Sequence, residues 1–284
     1  MSKILLSADS TCDLSKELAA ETGVIYTPLH IILNDQSYDD SVNITPDEIY
    51  QHFDKTGTLP KTSAVNTDEY IAAFQPYVEQ GYDIIHINIG SALSSSYANC
   101  VRAAEQLGHI YPIDSCNLST GTGHIVLEAY DRIRKGLDTA EIVSDLKALV
   151  SRCHSSFVID KLNYLRAGGR CSTLAMLGAN LLSLKPCIEV DNQDGSMTVG
   201  KKYRGKFDRV LIQYVHEKLS QFKKIKTDRI FITHAGVEQQ YVTTVKNELE
   251  KLHLFQKIYV TRASCTISSH CGPGTLGILF MTES

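Results

Sequence analysis

Four segments of the chain combine serine, threonine and glycine with few charged residues. Three of them are residues 61–67 (KTSAVNT), 89–97 (IGSALSSSY) and 265–277 (CTISSHCGPGTLG), and the fourth, residues 9–14 (DSTCDL), follows the first predicted strand. Hydroxyl groups, and free backbone N–H groups at a helix N-terminus, bind anionic oxygens without a full positive charge. Because these segments contain one imidazole, that of His270, we expect a site for a small anion built mainly from neutral donors.

The serines of residues 89–97 also have an ordinary structural interpretation. Serine and threonine cap helix N-termini throughout proteins, and capping is the more frequent role of any single serine. In an open α/β sheet, segments of this kind line the crevice at the carboxyl ends of the strands. Anion binding is favoured because several similar segments recur in the chain.

An enzyme is the alternative interpretation. His270 and Cys271 could serve as base and nucleophile in a hydrolase or transferase, although adjacent residues on a strand or loop usually point apart. Residues 89–97 do not form the G-x-S-x-G turn of a serine hydrolase, and residues 121–126 (GTGHIV) lack the lysine of a phosphate-binding loop. The sequence therefore favours a binding protein over an enzyme.

Composition excludes several classes of protein. The 284 residues are 43% hydrophobic and 21% charged with a net charge of −4, which indicates a soluble globular protein without a basic surface for nucleic acid. Apolar runs are too short for a transmembrane helix, and the N-terminus is typical of a first strand and not of a signal peptide. The eight cysteines lack zinc-site spacing, which favours free thiols, no metal and a cytoplasmic location.

The first part of the chain alternates predicted strands and helices. We expect residues 1–153 to form an α/β domain with a mostly parallel sheet flanked by helices. Within it, residues 24–33 (VIYTPLHIIL) are predicted as one strand. Thr45 and Glu48 form a predicted capping box, and Thr67 is the predicted cap of the next helix.

The second part has a different pattern. We expect residues 154–284 to form an α+β domain, in which residues 163–170 (NYLRAGGR) form a turn and residues 172–184 (STLAMLGANLLSL) a very apolar helix. Asp194 and Gly195 separate two predicted strands, which is a hairpin signal.

Six motifs together resemble those of the DegV family. They occur in the family's order and span essentially the whole chain: DSTCDL (9–14), Thr62-Ser63, LSSSY (93–97), YLRAGGR (164–170), LLSLKP (181–186) and SSHCGPGTLG (268–277). The resemblance implies a two-domain α/β protein that holds one long-chain fatty acid, such as palmitate, between its domains. It also implies a carrier without catalytic residues or cofactor, because the family includes the bacterial subunit that brings a fatty acid to a separate kinase for phosphorylation of the carboxylate.

The resemblance also implies roles for individual residues. The family's carboxylate-binding hydroxyls fall on Thr62 and Ser94, and His270 is implied as a further contact. Ser63 and Ser95 are possible additional lining residues. The resemblance further implies that Arg170 and Arg204 contact the kinase partner, where long cations at turns and hairpin ends can meet an acidic surface.

The sequence departs from the family pattern beside this site. Ala64-Val65-Asn66 replaces the Gln-Pro-Ser that often follows the threonine and serine, and Ser95 replaces a family glycine. Both departures are expected to alter the donor geometry around the head group.

A fatty acid also needs an apolar channel. Burying about fifteen methylenes at 0.8 kcal/mol each contributes on the order of 12 kcal/mol, which exceeds the cost of association enough for micromolar binding. The carboxylate must then receive good hydrogen bonds. The apolar helix predicted at residues 172–184 either lines the channel or is an ordinary core helix, and its candidate lining residues are Leu174, Leu177 and Leu181.

Overall fold

The computed structural model describes residues 3–160, 162–171 and 184–283. Its strands are β1 (Lys3–Asp9), β2 (Ile25–Thr27), β3 (His30–Leu33), β4 (Gln36–Asp39), β5 (Lys61–Ser63), β6 (Tyr82–Asn88), β7 (Ile110–Asp114), β8 (Cys153–Ile159), β9 (Leu184–Val190), β10 (Met197–Arg204), β11 (Arg229–Ala235), β12 (Lys257–Arg262) and β13 (Thr275–Met281). Its helices are α1 (Lys16–Thr22), α2 (Pro46–Thr56), α3 (Thr67–Val78), α4 (Ser96–Leu107), α5 (Thr120–Arg134), α6 (Thr139–Leu149), α7 (Asn163–Gly168), α8 (Phe207–Ser220), α9 (Gln239–Lys251) and α10 (Cys265–Cys271).

The first sheet is parallel, with strand order β2-β1-β6-β7. Helices α3 and α4 pack on one face and helices α5 and α6 on the other, so that the isoleucines of β6 are buried on both sides. Parallel sheets are covered on both faces in this way because their crossover connections place helices there. The predicted α/β class, with a mostly parallel N-terminal sheet between helices, is confirmed.

The prediction of one strand over residues 24–33 is wrong. Strand β2 belongs to the parallel sheet, whereas β3 pairs with β4 and β5 in a separate three-stranded antiparallel sheet. Pro28 lies between them, and because proline has no backbone N–H it interrupts the hydrogen-bond ladder at that point. The chain therefore changes sheets within this segment, and the small sheet positions Thr62.

The second large sheet is formed by the strands from residue 153 onward. It has six strands in the order β10-β9-β8-β13-β11-β12, and β11 and β12 are its parallel pair. Helices α8 and α9 cover one face. The predicted hairpin is confirmed, since β9 and β10 pair antiparallel with Val190 opposite Met197. The division into domains at residues 1–153 and 154–284 stays a prediction.

Helix α5 lies between the two large sheets, in contact with β1 and β6 of the first and with β8 and β13 of the second. Its Glu128 is 7% exposed and accepts hydrogen bonds from Arg132, Lys226 and Arg229. Burial alone would raise the pKa of Glu128, but the hydrogen bond from Lys226 and the charge of Arg229 hold it at about 2. This ion cluster joins α5 to the start of β11.

Helix caps follow the sequence signals with one exception. Thr45 and Glu48 form the predicted capping box of α2. The prediction that Thr67 caps α3 is wrong, because the side chain of Asn66 accepts from the Glu69 amide and Glu69 binds back to the Asn66 amide. Asparagine is at least as good a cap as threonine, and its partner glutamate stands three residues later as a capping box requires.

Two further element predictions are wrong. Residues 163–170, predicted as a turn, contain the short helix α7, and residues 265–277, predicted as a linking segment, contain the helix α10. Of the predicted helix over residues 172–184, all but the last residue lies outside the described residues, and Leu184 begins β9. Within the described ranges, none of the helices has the length and apolar character needed to cross a membrane.

Candidate functional site

A cavity of about 280 Å³ lies where the end of β6, strand β5 and helix α10 meet. Its polar wall residues are Thr62, Ser63, Ser94, Ser95, Arg170, Thr266 and His270. Its apolar wall residues are Leu29, Ala64, Ile89, Leu93, Leu118, Met197, Ile267 and Cys271. The structure therefore brings three of the four hydroxyl-rich segments, which are far apart in the sequence, to one mixed polar and apolar cavity.

The central polar contact of the cavity joins Thr62 to His270. Thr62 lies on β5 opposite Ile31 of β3, and its Oγ1 atom is 2.8 Å from Nε2 of His270. Burial, and then the positive charge of Arg170, lowers the pKa of His270 to about 4, so that the imidazole is neutral at pH 7. When Nε2 carries the proton and donates to Thr62, the threonine hydroxyl proton is left to donate to an anion.

Two buried carboxylates hold the helix that carries His270. Asp13 accepts from the Ser264 amide at 2.9 Å and from the hydroxyl of Ser119, and Asp40 accepts from the Cys265 amide at 2.7 Å. They satisfy backbone N–H groups at the start of α10, where negative charge is favourable. Burial raises the pKa of Asp13 to about 7. The sequence analysis missed both residues as positioning groups, although Asp13 lies within the DSTCDL motif.

Glycines allow helix α7 to approach α10. A Cβ atom on Gly168 would lie 2.4 Å from Nδ1 of His270, and one on Gly272, whose φ is +73°, would lie 2.5 Å from the ring of Tyr164. The glycine-rich motifs at residues 164–170 and 268–277 therefore have a steric reason, since they let two short helices pack with the imidazole between them. The Nδ1 atom of His270 has no hydrogen-bond partner among the described residues.

Ser94 both contacts the first residue of helix α4 and lines the cavity. Its Oγ atom accepts from the Ser96 amide at 3.2 Å, which satisfies a free N–H group at the start of α4. The same hydroxyl lies 3.0 Å from Oγ of Ser96, and when Ser96 donates in that pair the proton of Ser94 can point into the cavity. Ser63 and Ser95 also lie on the wall, and both are exposed.

The fourth segment, residues 9–14, supports the site without lining it. Asp9 is fully buried and accepts from the Tyr70 hydroxyl at 2.6 Å and from the Ile89 amide at 2.9 Å. Through the second bond it fixes the backbone just after β6, immediately before the serine turn. No residue of this segment is among the described wall residues.

The two arginines predicted to dock a partner occupy different places. Arg170 lines the cavity and bonds the Gly168 carbonyl oxygen at 2.7 Å, so that its charge lies near His270. Arg204 is exposed at the end of β10, away from the described cavity wall. The predicted lining residues Leu174, Leu177 and Leu181 lie outside the described residues.

The proposed enzyme alternative lacks an activated nucleophile. Cys271 is 4% exposed, and burial raises the pKa of its thiol to about 12, so that the thiolate is scarce at neutral pH. None of the eight cysteines, each of which lies in the described ranges, forms a disulfide bond. The described residues contain no group of three or more His, Cys, Asp or Glu side chains arranged to hold a metal ion.

Comparison with known proteins agrees with the motifs. The family model described as "Uncharacterised protein, DegV family" matches residues 3–283. A DegV domain-containing protein of Staphylococcus aureus (strain COL) is 30% identical over 287 residues, which cover 100% of both chains. The solved structure of a DegV family protein from Thermus thermophilus, described as binding a fatty acid, has a TM-score of 0.90 and 25% identity over 99% of each chain.

A second solved structure has the same fold. The DegV family protein from Streptococcus agalactiae has a TM-score of 0.88 and 23% identity over 100% of each chain. The family suggested by the six sequence motifs is thereby confirmed. This chain belongs to the DegV family.

Proposed function

We propose that this protein binds one long-chain fatty acid in the cavity described above. The observation that carries the proposal is the division of the cavity wall into hydroxyl and imidazole donors on one part and aliphatic side chains on the rest. The similar protein from Thermus thermophilus, described as binding a fatty acid, supports the same ligand class. A carboxylate on a hydrocarbon chain complements both parts of such a wall.

Thr62 and Ser94 bind the carboxylate in this proposal, and His270 assists. Neutral His270 donates from Nε2 to Thr62 and so directs the threonine hydroxyl at the carboxylate. Arg170 adds a positive charge on the same wall, which stabilises the anion. His270 is therefore a positioning residue, and the hydroxyls of Thr62 and Ser94 make the direct contacts.

The apolar wall binds the hydrocarbon chain. Ile89, Leu93, Leu118 and Ile267 present aliphatic side chains to the cavity. Each buried methylene contributes about 0.8 kcal/mol, so the chain supplies most of the affinity while the polar donors remove the penalty of burying a charge.

The protein acts as a carrier and has no enzymatic activity of its own. Residues 1–153 and 154–284 form its two domains, and the fatty acid lies between them. In the cytoplasm it presents the acid to a separate fatty acid kinase subunit for acyl-phosphate formation, and Arg170 and Arg204 contact that partner. The exposed position of Arg204 supports this role.

Mass spectrometry of a denaturing extract tests the proposal. The protein recovered from its host should release about one fatty acid per chain, and the delipidated protein should take up added palmitate or oleate. Thr62→Val/Ser94→Ala is the matched variant, expected to lose uptake while it keeps the wild-type melting temperature. Absence of a stoichiometric fatty acid, together with absence of uptake by the wild type, would overturn the proposal.

A further inference from the structure

A second, smaller cavity adjoins the first and extends it toward the six-stranded sheet. Its volume is about 30 Å³, and three buried wall residues, Leu118, Ile267 and Cys271, line both cavities. Ile267 and Cys271 are four residues apart and so lie on one face of α10. These three side chains therefore form part of the wall of both spaces.

The smaller cavity lies away from the polar wall residues of the larger cavity. Thr62, Ser94, Arg170 and His270 line the larger cavity, and none of them is among the described wall residues of the smaller one. The floor of the smaller cavity is made by β8, β11 and β13. A chain whose carboxylate lies at Thr62 and which follows the Ile267 face of α10 would meet this floor with its methyl end.

Small side chains keep this space open. Ala235 and Ala263, which are 2% and 3% exposed, line the smaller cavity and are absent from the described wall of the larger one. Gly277 also lines it, and a Cβ atom there would lie 2.5 Å from the backbone oxygen of Ser156. The backbone packing thus excludes a side chain at residue 277, and the two alanines are the positions where added bulk would fill the space.

We propose that this smaller cavity receives the methyl end of the fatty acid and that Ala235 and Ala263 set the longest chain accepted. This inference rests on the proposed function. When an apolar space of this size is empty, the atoms that line it lack van der Waals partners on one side. A terminal methyl or methylene group in the space supplies those partners. The alternative occupant is a single water held by Nδ1 of His234, a wall atom without a partner among the described residues.

The affinities of saturated fatty acids from twelve to twenty carbons, measured on the delipidated full chain, test this inference. For the wild type, affinity should rise about fourfold per methylene until the smaller cavity is filled. Ala235→Val should shift the optimum one or two carbons shorter, with a loss of about fourfold per excluded methylene. The shortest acids should bind within about twofold of the wild type because they do not reach the cavity.

Two further variants keep the result interpretable. Ala263→Val should give the same shift as Ala235→Val, and it carries the test if Ala235→Val does not fold. Ala129→Val, at a fully buried alanine of α5 outside both cavities, should leave the chain-length profile unchanged. Folded variants that bind every chain length as the wild type does, or more weakly by one constant factor, would overturn the inference. Failure of the wild type to bind any fatty acid would instead overturn the proposed function on which this inference rests.

Discussion

The Nε2 atom of His270 lies 2.8 Å from the Oγ1 atom of Thr62, across 208 positions of sequence. Thr62 belongs to a small antiparallel sheet of the first part of the chain, and His270 to a short helix of the second part. The hydrogen bond therefore joins these two parts of the chain in the wall of the cavity. When Nε2 of His270 carries the proton, the threonine hydroxyl remains free to donate to an anion.

We expect the side chains that donate to the head group to determine the affinity for palmitate without affecting the stability of the fold. Thr62→Val should weaken palmitate binding by about tenfold or more, because a hydrogen bond to a charged group contributes about 1.5 to 3 kcal/mol. Ser94→Ala should act in the same direction. Isothermal titration with the delipidated protein measures both effects.

A control for these variants lies at a nearby exposed residue. Ser91→Ala, in the same turn as Ser94 but outside the described cavity wall, should bind palmitate as the wild type does. Equal affinity of Thr62→Val and the wild type would exclude this threonine as a carboxylate ligand.

Two adjacent glycines provide a matched test of the position of the imidazole. Gly168→Ala should displace the His270 ring, since its Cβ atom would lie 2.4 Å from Nδ1, and we expect a loss of palmitate affinity of about tenfold. Gly169→Ala meets no atom within 4 Å but must adopt a φ of +66°, so it should lower the free energy of unfolding by about 1 kcal/mol. Its affinity should stay unchanged.

Binding and urea unfolding, measured on both glycine variants, separate the two effects. If Gly168→Ala binds palmitate normally, the position of the imidazole is unimportant for the head group.

Asp13 should give the stability a characteristic pH dependence. The pKa of Asp13 in the folded state, about 7, lies above its ordinary value near 4. The stability that the protonated carboxyl contributes is therefore fully present below pH 4 and is lost as the pH rises through 7. Asp13→Asn keeps a similar shape without a titrating proton. Between pH 5 and pH 7.5 its free energy of unfolding should therefore gain about 2 to 3 kcal/mol relative to the wild type.

Urea unfolding of both proteins at the two pH values measures this difference. The lowered pKa values of His124, His154 and His270 act in the opposite direction, but they are common to both proteins and cancel in the comparison. Asp35→Asn, at an exposed turn, keeps Asp13 and is the control, so its pH profile of stability should parallel that of the wild type. A wild-type pH profile that parallels that of Asp13→Asn would contradict the assignment.

Glu128 should be essential for joining helix α5 to the second large sheet. Glu128→Gln leaves Arg132, Lys226 and Arg229 without their buried counter-charge, and we expect a loss of about 3 to 5 kcal/mol in the free energy of unfolding. Asp145→Asn removes a partner of Arg132 that is 52% exposed, and it should cost less than about 1 kcal/mol. Thermal and urea unfolding compare the two variants, and equal losses would show that burial does not strengthen the cluster.

Sequence patterns predicted the local features of the fold well. The capping box of Thr45 and Glu48, the hairpin at Asp194 and Gly195 and the strand–helix alternation each depend on neighbouring residues. Helix α10 could not be predicted in this way, because its seven residues carry no amphipathic pattern. Its start is held by Asp13 and Asp40, which are 251 and 225 positions from the amides they bind.

The membership of the candidate site was predicted only in part. The motifs assigned Thr62, Ser94 and His270 to one site, and the structure places all three on the wall of one cavity, while their role in carboxylate binding stays a prediction. The wall position of Arg170 was missed, because a cation at a turn is usually solvated surface and the sequence does not show where the turn points. The apolar wall was also missed, since Ile89 and Ile267 look like ordinary core residues until the tertiary fold places them around a space.

A crystal structure of the delipidated protein soaked with palmitate tests the central claim most directly. We predict one carboxylate oxygen within about 3 Å of both Thr62 Oγ1 and Ser94 Oγ, with the hydrocarbon running along Ile267. Density for palmitate elsewhere on the protein, or in the cavity with the carboxylate turned away from Thr62 and Ser94, would contradict it.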